Sequence, residues 1–185
     1  READIFTQGY RPGTLAGRGF SPEQVAALRP GIVCVSLCAY GHEGPWASRR
    51  GFDSIVQNVT GLAATQGSLD KPRNMPVQAL DYIAGYLGAL GAMVALARRV
   101  EHGGSWLVRV SLVQVAHWLA NLGTVDAAKG IAELPESELS PLLTESVGPL
   151  GRLRHLKPVV QLDTTPAFFA RPAEPLGTSA AQWSS

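Results

Sequence analysis

The stretch that most constrains this chain is Ile32-Val33-Cys34-Val35-Ser36-Leu37-Cys38, a near-continuous, β-branched apolar run of strand length. A strand apolar at successive positions has no face to give to water, so it is predicted to be buried on both sides, as in the sheets of α/β proteins. The residues before it supply the rest of a βαβ-like unit. Ala3 to Thr7 reads as a first strand, and Arg11-Pro12-Gly13 as a turn, with Pro fixing one dihedral and Gly supplying the permissive one. Ser21-Pro22-Glu23-Gln24 then predicts a helix start: Ser as N-cap, Pro at the first helical position, and Gln placed to close a capping box. Arg29-Pro30-Gly31 ends that helix just before the apolar run.

Downstream, Ala39 to Gly51 is a loop placed after the carboxyl end of the predicted strand, where open α/β sheets bind ligands. It holds His42, Trp46, Arg49 and Arg50, which suits either a binding loop or a solvated connection with a tucked Trp. Residues 52–60 read as a short helix stopped by Gly61, and residues 65–76 as a polar connector. Asp81 is predicted to cap a helix running to about Arg99. An Asp at a helix start satisfies orphan amides and complements the dipole, which by itself requires no function. Gly85, Gly88 and Gly91 leave one stripe of that helix nearly bare, fit for close packing or for ligand approach. Trp106 to Leu112 alternates like a strand, and residues 113–129 suit a helix carrying His117.

With 185 residues and 45% of them apolar, the chain can bury a sizeable core. The expected organisation is an α/β core over residues 1–129 and a Pro-rich extension, residues 130–185, packing on it. The extension is predicted to hold a helix near 137–146 and strands at 153–156 and 159–162. A formal net charge of +1 gives no field that argues for nucleic acid or an anionic membrane. The apolar run from Tyr82 to Leu96 is short and Gly-rich for a membrane span. Cys34 and Cys38, the only cysteines, match no metal or redox spacing, so no metal is expected and a cytoplasmic setting is the default. The chain opens directly into a strand, which suggests the interior of a longer polypeptide.

Three features stand in order: Tyr10-Arg11-Pro12-Gly13 after the first strand, Gly44-Pro45-Trp46 with Arg49-Arg50-Gly51-Phe52-Asp53 after the second, and Leu80-Asp81-Tyr82 at a helix start 28 positions beyond Asp53. This set resembles the family III CoA-transferases, a group that includes formyl-CoA and carnitine CoA-transferases and the 2-methylacyl-CoA racemases. The resemblance runs from about Ala3 to Leu122 and implies a Rossmann-like parallel sheet, here an incomplete large domain. By the same resemblance, Asp81 is the catalytic nucleophile, and Tyr10, Arg11, Arg49, Arg50, Gly51 and Phe52 line the coenzyme A site. Guanidinium groups such as Arg49 and Arg50 suit the cofactor's phosphates.

The family's chemistry implies a covalent relay on Asp81 between an acyl-CoA donor and a carboxylic acid acceptor. It also implies a homodimer, or association with an N-terminal segment that precedes Ala3 in relatives. Gly17-Arg18 departs from the family pattern, which places an arginine one position earlier. The racemases carry a catalytic His immediately before the loop Asp, and Phe52 occupies that position. Transferase is therefore the expected activity, with acyl-CoA racemase or a non-catalytic CoA-binding half as the alternatives, and the 185-residue chain alone is expected to be a poor enzyme.

Overall fold

The computed structural model describes residues 2–124 and 133–182, and the chain forms two compact units, Arg1–Val125 and Asp126–Ser185. The expected division after residue 129 falls outside the described residues.

In the first unit, strands β1 (Ile5–Gln8), β2 (Val33–Cys38) and β3 (Trp106–Ser111) form a parallel sheet in the order β1-β2-β3. The apolar run is thus the central strand, and its alternate residues meet different partners. Val33 and Val35 pack with Ala92 and Ala95 of helix α4 (Ala79–His102), beside Trp106 and Val108. Cys34, with Ile32, packs against Val25 of helix α1 (Pro22–Leu28). Burial on both faces is therefore found, and Cys34 and Cys38 are free, buried thiols. Helix α1 begins as its sequence requires. Ser21 Oγ accepts from the Gln24 amide at 3.2 Å, and Gln24 Oε1 accepts from the Ser21 amide at 2.8 Å.

Helix α4 gives the unit its polarity. Near its C-terminus Arg99 donates to the Gly31 carbonyl (2.9 Å) and to Asp4 (3.1 Å), residues that lie just before β2 and β1. Its other end, carrying Asp81, consequently sits toward the carboxyl ends of the strands. The glycine stripe divides in two. A Cβ on Gly91 would stand 2.5 Å from Val108 Cγ1 and one on Gly88 3.4 Å from Val35 Cγ1, so these two let the helix settle on the sheet. Gly85 has open space before it. By length and composition α4, at 24 residues, is long and apolar enough to cross a bilayer, more than the run from Tyr82 to Leu96 predicts. Here its buried face is the one packed on β2 and β3.

Helix α2 (Asp53–Val59), the one-turn helix α3 (Leu62–Thr65) and helix α5 (Leu112–Asn121) close the unit around Val56, Leu62, Leu80, Ala84, Leu112, Val115 and Ala116. Gly61, with φ of 83°, ends α2 as expected and leads into α3, which the sequence pattern does not reveal. The predicted helix over residues 113–129 is shorter, ending at Asn121, and its final expected residues lie outside the described ones.

The second unit corrects two expectations. The helix expected near 137–146 is one turn, α6 (Glu136–Leu139), then a 3-10 turn, Ser140–Leu142, because Pro141 has no amide to continue it. The residues from Leu143 onward form β4 (Leu143–Gly148), an antiparallel hairpin with β5 (Gly151–Leu156). Residues 159–162, expected as a strand, are irregular. The tail packs on the hairpin, where Pro172 lies so close to Gly148 that a Cβ there would meet it at 2.7 Å.

Candidate functional site

The first turn of α4 departs from the predicted cap. The helix begins at Ala79, its N-cap is Gln78 with no capping side chain, and Asp81 stands at the third helical position. Its backbone amide is one of the orphan donors of a helix start. That donor is satisfied from another helix, since Asp81 N–H donates to Asp53 Oδ2 at 3.0 Å. Asp53 opens α2 and is only 1% exposed. Its other carboxylate oxygen accepts from Gln57 Nε2, and Gln57 Oε1 in turn accepts from the Met75 amide at 2.8 Å. A buried carboxylate is tolerable only with such partners.

The Asp81 side chain itself is exposed. It lines an open groove of about 650 Å³ along α4 with Gln78, Tyr82, Gly85, Tyr86 and Ala89. Partial desolvation by these neighbours, followed by the nearby Asp53 charge, pushes its carboxyl above the ordinary carboxylate range. A groove floored by Gly85 and walled by two tyrosines suits a flexible, amphipathic ligand arm reaching a carboxylate at its end.

The other expected site residues divide. Tyr10 is exposed and lines a second groove with Gly85, Gly88 and Ala89, so it shares the bare face of α4 with Asp81. Arg11 faces the opposite side of the sheet, in a pocket with Gln8, Ser36, His42 and Arg109. Arg49 lays its guanidinium over Trp46, 4.2 Å from the ring centre, and Trp46 meets Tyr40 edge-on. Arg50 is exposed. Gly51 has a packing reason for being glycine, because a Cβ there would stand 2.6 Å from Ala39 Cβ. Phe52 is 73% exposed and is the N-cap residue of α2, so it directly precedes the Asp53 that holds Asp81. The loop and the nucleophile candidate are thus joined by one buried carboxylate, whereas Arg11 is not brought to them.

Sequence reasoning placed Asp53 in the loop motif without this contact to Asp81, and missed Gln57. Their spacing of four places both on one helix face, a pattern also shared by ordinary surface pairs. It also missed a polar cluster on the α1 side of the sheet, in which His42 Nε2 lies 3.0 Å from Ser36 Oγ and Nδ1 lies 3.5 Å from Cys38 Sγ. Burial, then the Arg109 charge, lowers the His42 pKa, and burial raises that of Cys38, so both shifts run against an activated thiolate. Arg109 is paired with Glu43 at 3.0 Å. Among the described residues no three His, Cys, Asp or Glu side chains come together as a metal site.

The chain is similar to the probable fatty acyl-CoA transferase Rv3272 of Mycobacterium tuberculosis, 31% identical over 144 residues, covering 75% of this chain and 36% of that protein. It is 32% identical over 112 residues to the succinyl-CoA–D-citramalate CoA-transferase of Chloroflexus aurantiacus, covering 60% and 28%. A crystal structure of Rv3272 superposes with a TM-score of 0.60 at 32% identity, over 65% of this chain and 34% of that one. The chain therefore spans about a third of the length of these relatives. The description of CoA-transferase family III matches residues 1–175, nearly the whole sequence, and the chain belongs to that family.

Proposed function

We propose that the protein of which this chain forms part moves CoA from an acyl-CoA donor to a carboxylic acid acceptor, with Asp81 as the covalent relay. The observation that carries this reading is the placement of Asp81. Its carboxylate projects into the groove beside Gly85, at the carboxyl-end side of a parallel sheet, from a first turn whose backbone is fixed by Asp53. In the proposed sequence an Asp81 carboxylate oxygen attacks the donor thioester carbonyl. The C–S bond breaks and CoA leaves as thiolate with the bonding pair, giving a mixed anhydride. The thiolate then attacks the Asp81 side-chain carbonyl, the donor acid departs as carboxylate, and an aspartyl-CoA thioester remains. The acceptor carboxylate attacks the carbonyl of that thioester, and the C–S bond breaks to release CoA thiolate and leave a second mixed anhydride. The thiolate then attacks the acceptor's carbonyl, so that acceptor acyl-CoA forms and Asp81 departs as carboxylate.

The raised affinity of Asp81 for a proton makes it a stronger nucleophile once ionised, and the positive end of α4 favours both that anion before attack and the oxyanion that develops during it. The groove carrying Asp81, Tyr82 and Tyr86, with the adjoining groove lined by Tyr10, would take the pantetheine arm, and Arg49 and Arg50 would serve the phosphates. Succinyl-CoA and fatty acyl-CoA, the substrates in relatives' names, set the class of donor to try first. Phe52 offers no proton donor where racemases carry one, which favours transfer over α-proton exchange. In the whole protein, Asp81→Asn is expected to lower transfer of CoA between acids by at least about a thousandfold, with no α-hydrogen exchange in deuterated water in the wild type. Exchange that survives Asp81→Asn, without transfer, would identify an isomerase instead.

A further inference from the structure

We propose that Asp53 is a positioning residue for Asp81: its buried carboxylate, held by Gln57, fixes the first turn of α4 and with it the direction in which the Asp81 side chain leaves the helix. This rests on the reading of Asp81 as nucleophile. The geometry has an economy that a simple cap lacks. Gln78 makes no side-chain cap, although a Ser or Asp at that position would satisfy a helix start locally. The acceptor instead comes from α2, from a side chain 1% exposed, and is clamped by Gln57, also 1% exposed. Gln57 reaches further, accepting from Met75 N–H at 2.8 Å and standing 3.5 Å from the Val77 carbonyl. The pair thereby ties α2 to three points along residues 75–81, the segment that delivers Asp81. A nucleophile misplaced by even 1 Å loses much of its rate, so such a tether matters more for an attacking group than for a surface aspartate.

The tether also sets the local charge. Among the described residues, Asp53 is the charged group that faces Asp81. On α4 itself the groove neighbours are Gln78, Tyr82 and Tyr86, while α5 presents Leu112, Val115 and Ala116 to the core below, and Tyr40 packs at that core's margin. The same contact that aims the carboxylate therefore keeps a like charge beside it.

The test uses the whole protein. In the wild type, the Asp81 amide is expected to exchange with solvent at least about tenfold more slowly than an unprotected helix-start amide. Asp53→Ala is expected to lower kcat about ten- to a hundredfold with KM for the acyl-CoA little changed. Asp53→Asn is expected to move the Asp81 carboxyl titration, followed by ¹³C NMR, to lower pH, and Asp53→Asn/Gln57→Glu to recover kcat over Asp53→Ala by restoring an acceptor for the Asp81 amide and a hydrogen bond between positions 53 and 57, with the charge moved to position 57. Unchanged kcat in Asp53→Ala, an Asp81 titration indifferent to Asp53→Asn, or a loss of kcat equal to the unfolded fraction would overturn the proposal. Should the variants not fold, the wild-type Asp81 amide decides, since unprotected exchange there refutes the tether. Retained transfer in Asp81→Asn would instead sink the nucleophile reading while leaving the amide and titration results standing.

Discussion

Asp81 is held in an environment that disfavours its charge, and this has a consequence for stability. Desolvation and Asp53 raise its folded pKa, so the folded chain binds that proton more tightly than the unfolded one. The associated stabilisation is fully present in acid, below the ordinary aspartate value, and is lost as pH rises through the raised folded value. At neutral pH the ionised Asp81 is thus a net burden on the fold. Asp81→Asn is expected to raise Tm at pH 7, and the difference from wild type is expected to vanish in acid, measured by thermal melts across pH; an unchanged or lower Tm at pH 7 contradicts the assignment. The sequence made Asp81 visible as a helix-start carboxylate, but not as the third helical residue capped from elsewhere. A partner 28 positions away in the chain leaves no local pattern, and the Asp53–Gln57 pair looks like any i, i+4 couple until α2 and α4 are brought together.

At the scale of elements, what was legible follows local physics. Ser21 to Gln24 announced α1, the apolar run announced the central strand, and Gly61 announced the end of α2. The failures came where a proline or a turn overrides propensity, as at Pro141, which replaces an expected helix with a hairpin strand. The glycines of α4 give a contrast that the sequence alone could not. Gly91→Ala places a methyl group 2.5 Å from Val108 Cγ1 and is expected to destabilise the fold by about 1–3 kcal/mol. Gly85→Ala meets nothing within 4 Å and is expected to stabilise it by about 0.5–1 kcal/mol through helix propensity. If the groove takes the cofactor arm, the same Gly85→Ala change raises KM for acyl-CoA. Chemical denaturation together with steady-state kinetics separates these effects, and equal destabilisation by both substitutions contradicts the packing described for α4.

Across the whole molecule, the α/β class and the parallel sheet were readable because the burial pattern of β2 admits few alternatives, and the family resemblance rested on ordered motifs that all lie in the first unit. The distribution of the site was not readable. Tyr10 and Arg11 are neighbours in sequence yet face opposite sides of the sheet, because successive residues leaving a strand end diverge. The chain spans about a third of its relatives' length, and Asp81 lies exposed, while an acyl anhydride needs shelter from water. The proposed relay therefore calls for shelter around Asp81 in the whole protein. The most direct test is to incubate that protein with acyl-CoA, treat it with hydroxylamine, and map the modified peptide by mass spectrometry. The relay predicts a hydroxamate on Asp81 that is absent from Asp81→Asn; labelling at another residue, or no acyl-CoA-dependent difference between wild type and Asp81→Asn, would contradict it.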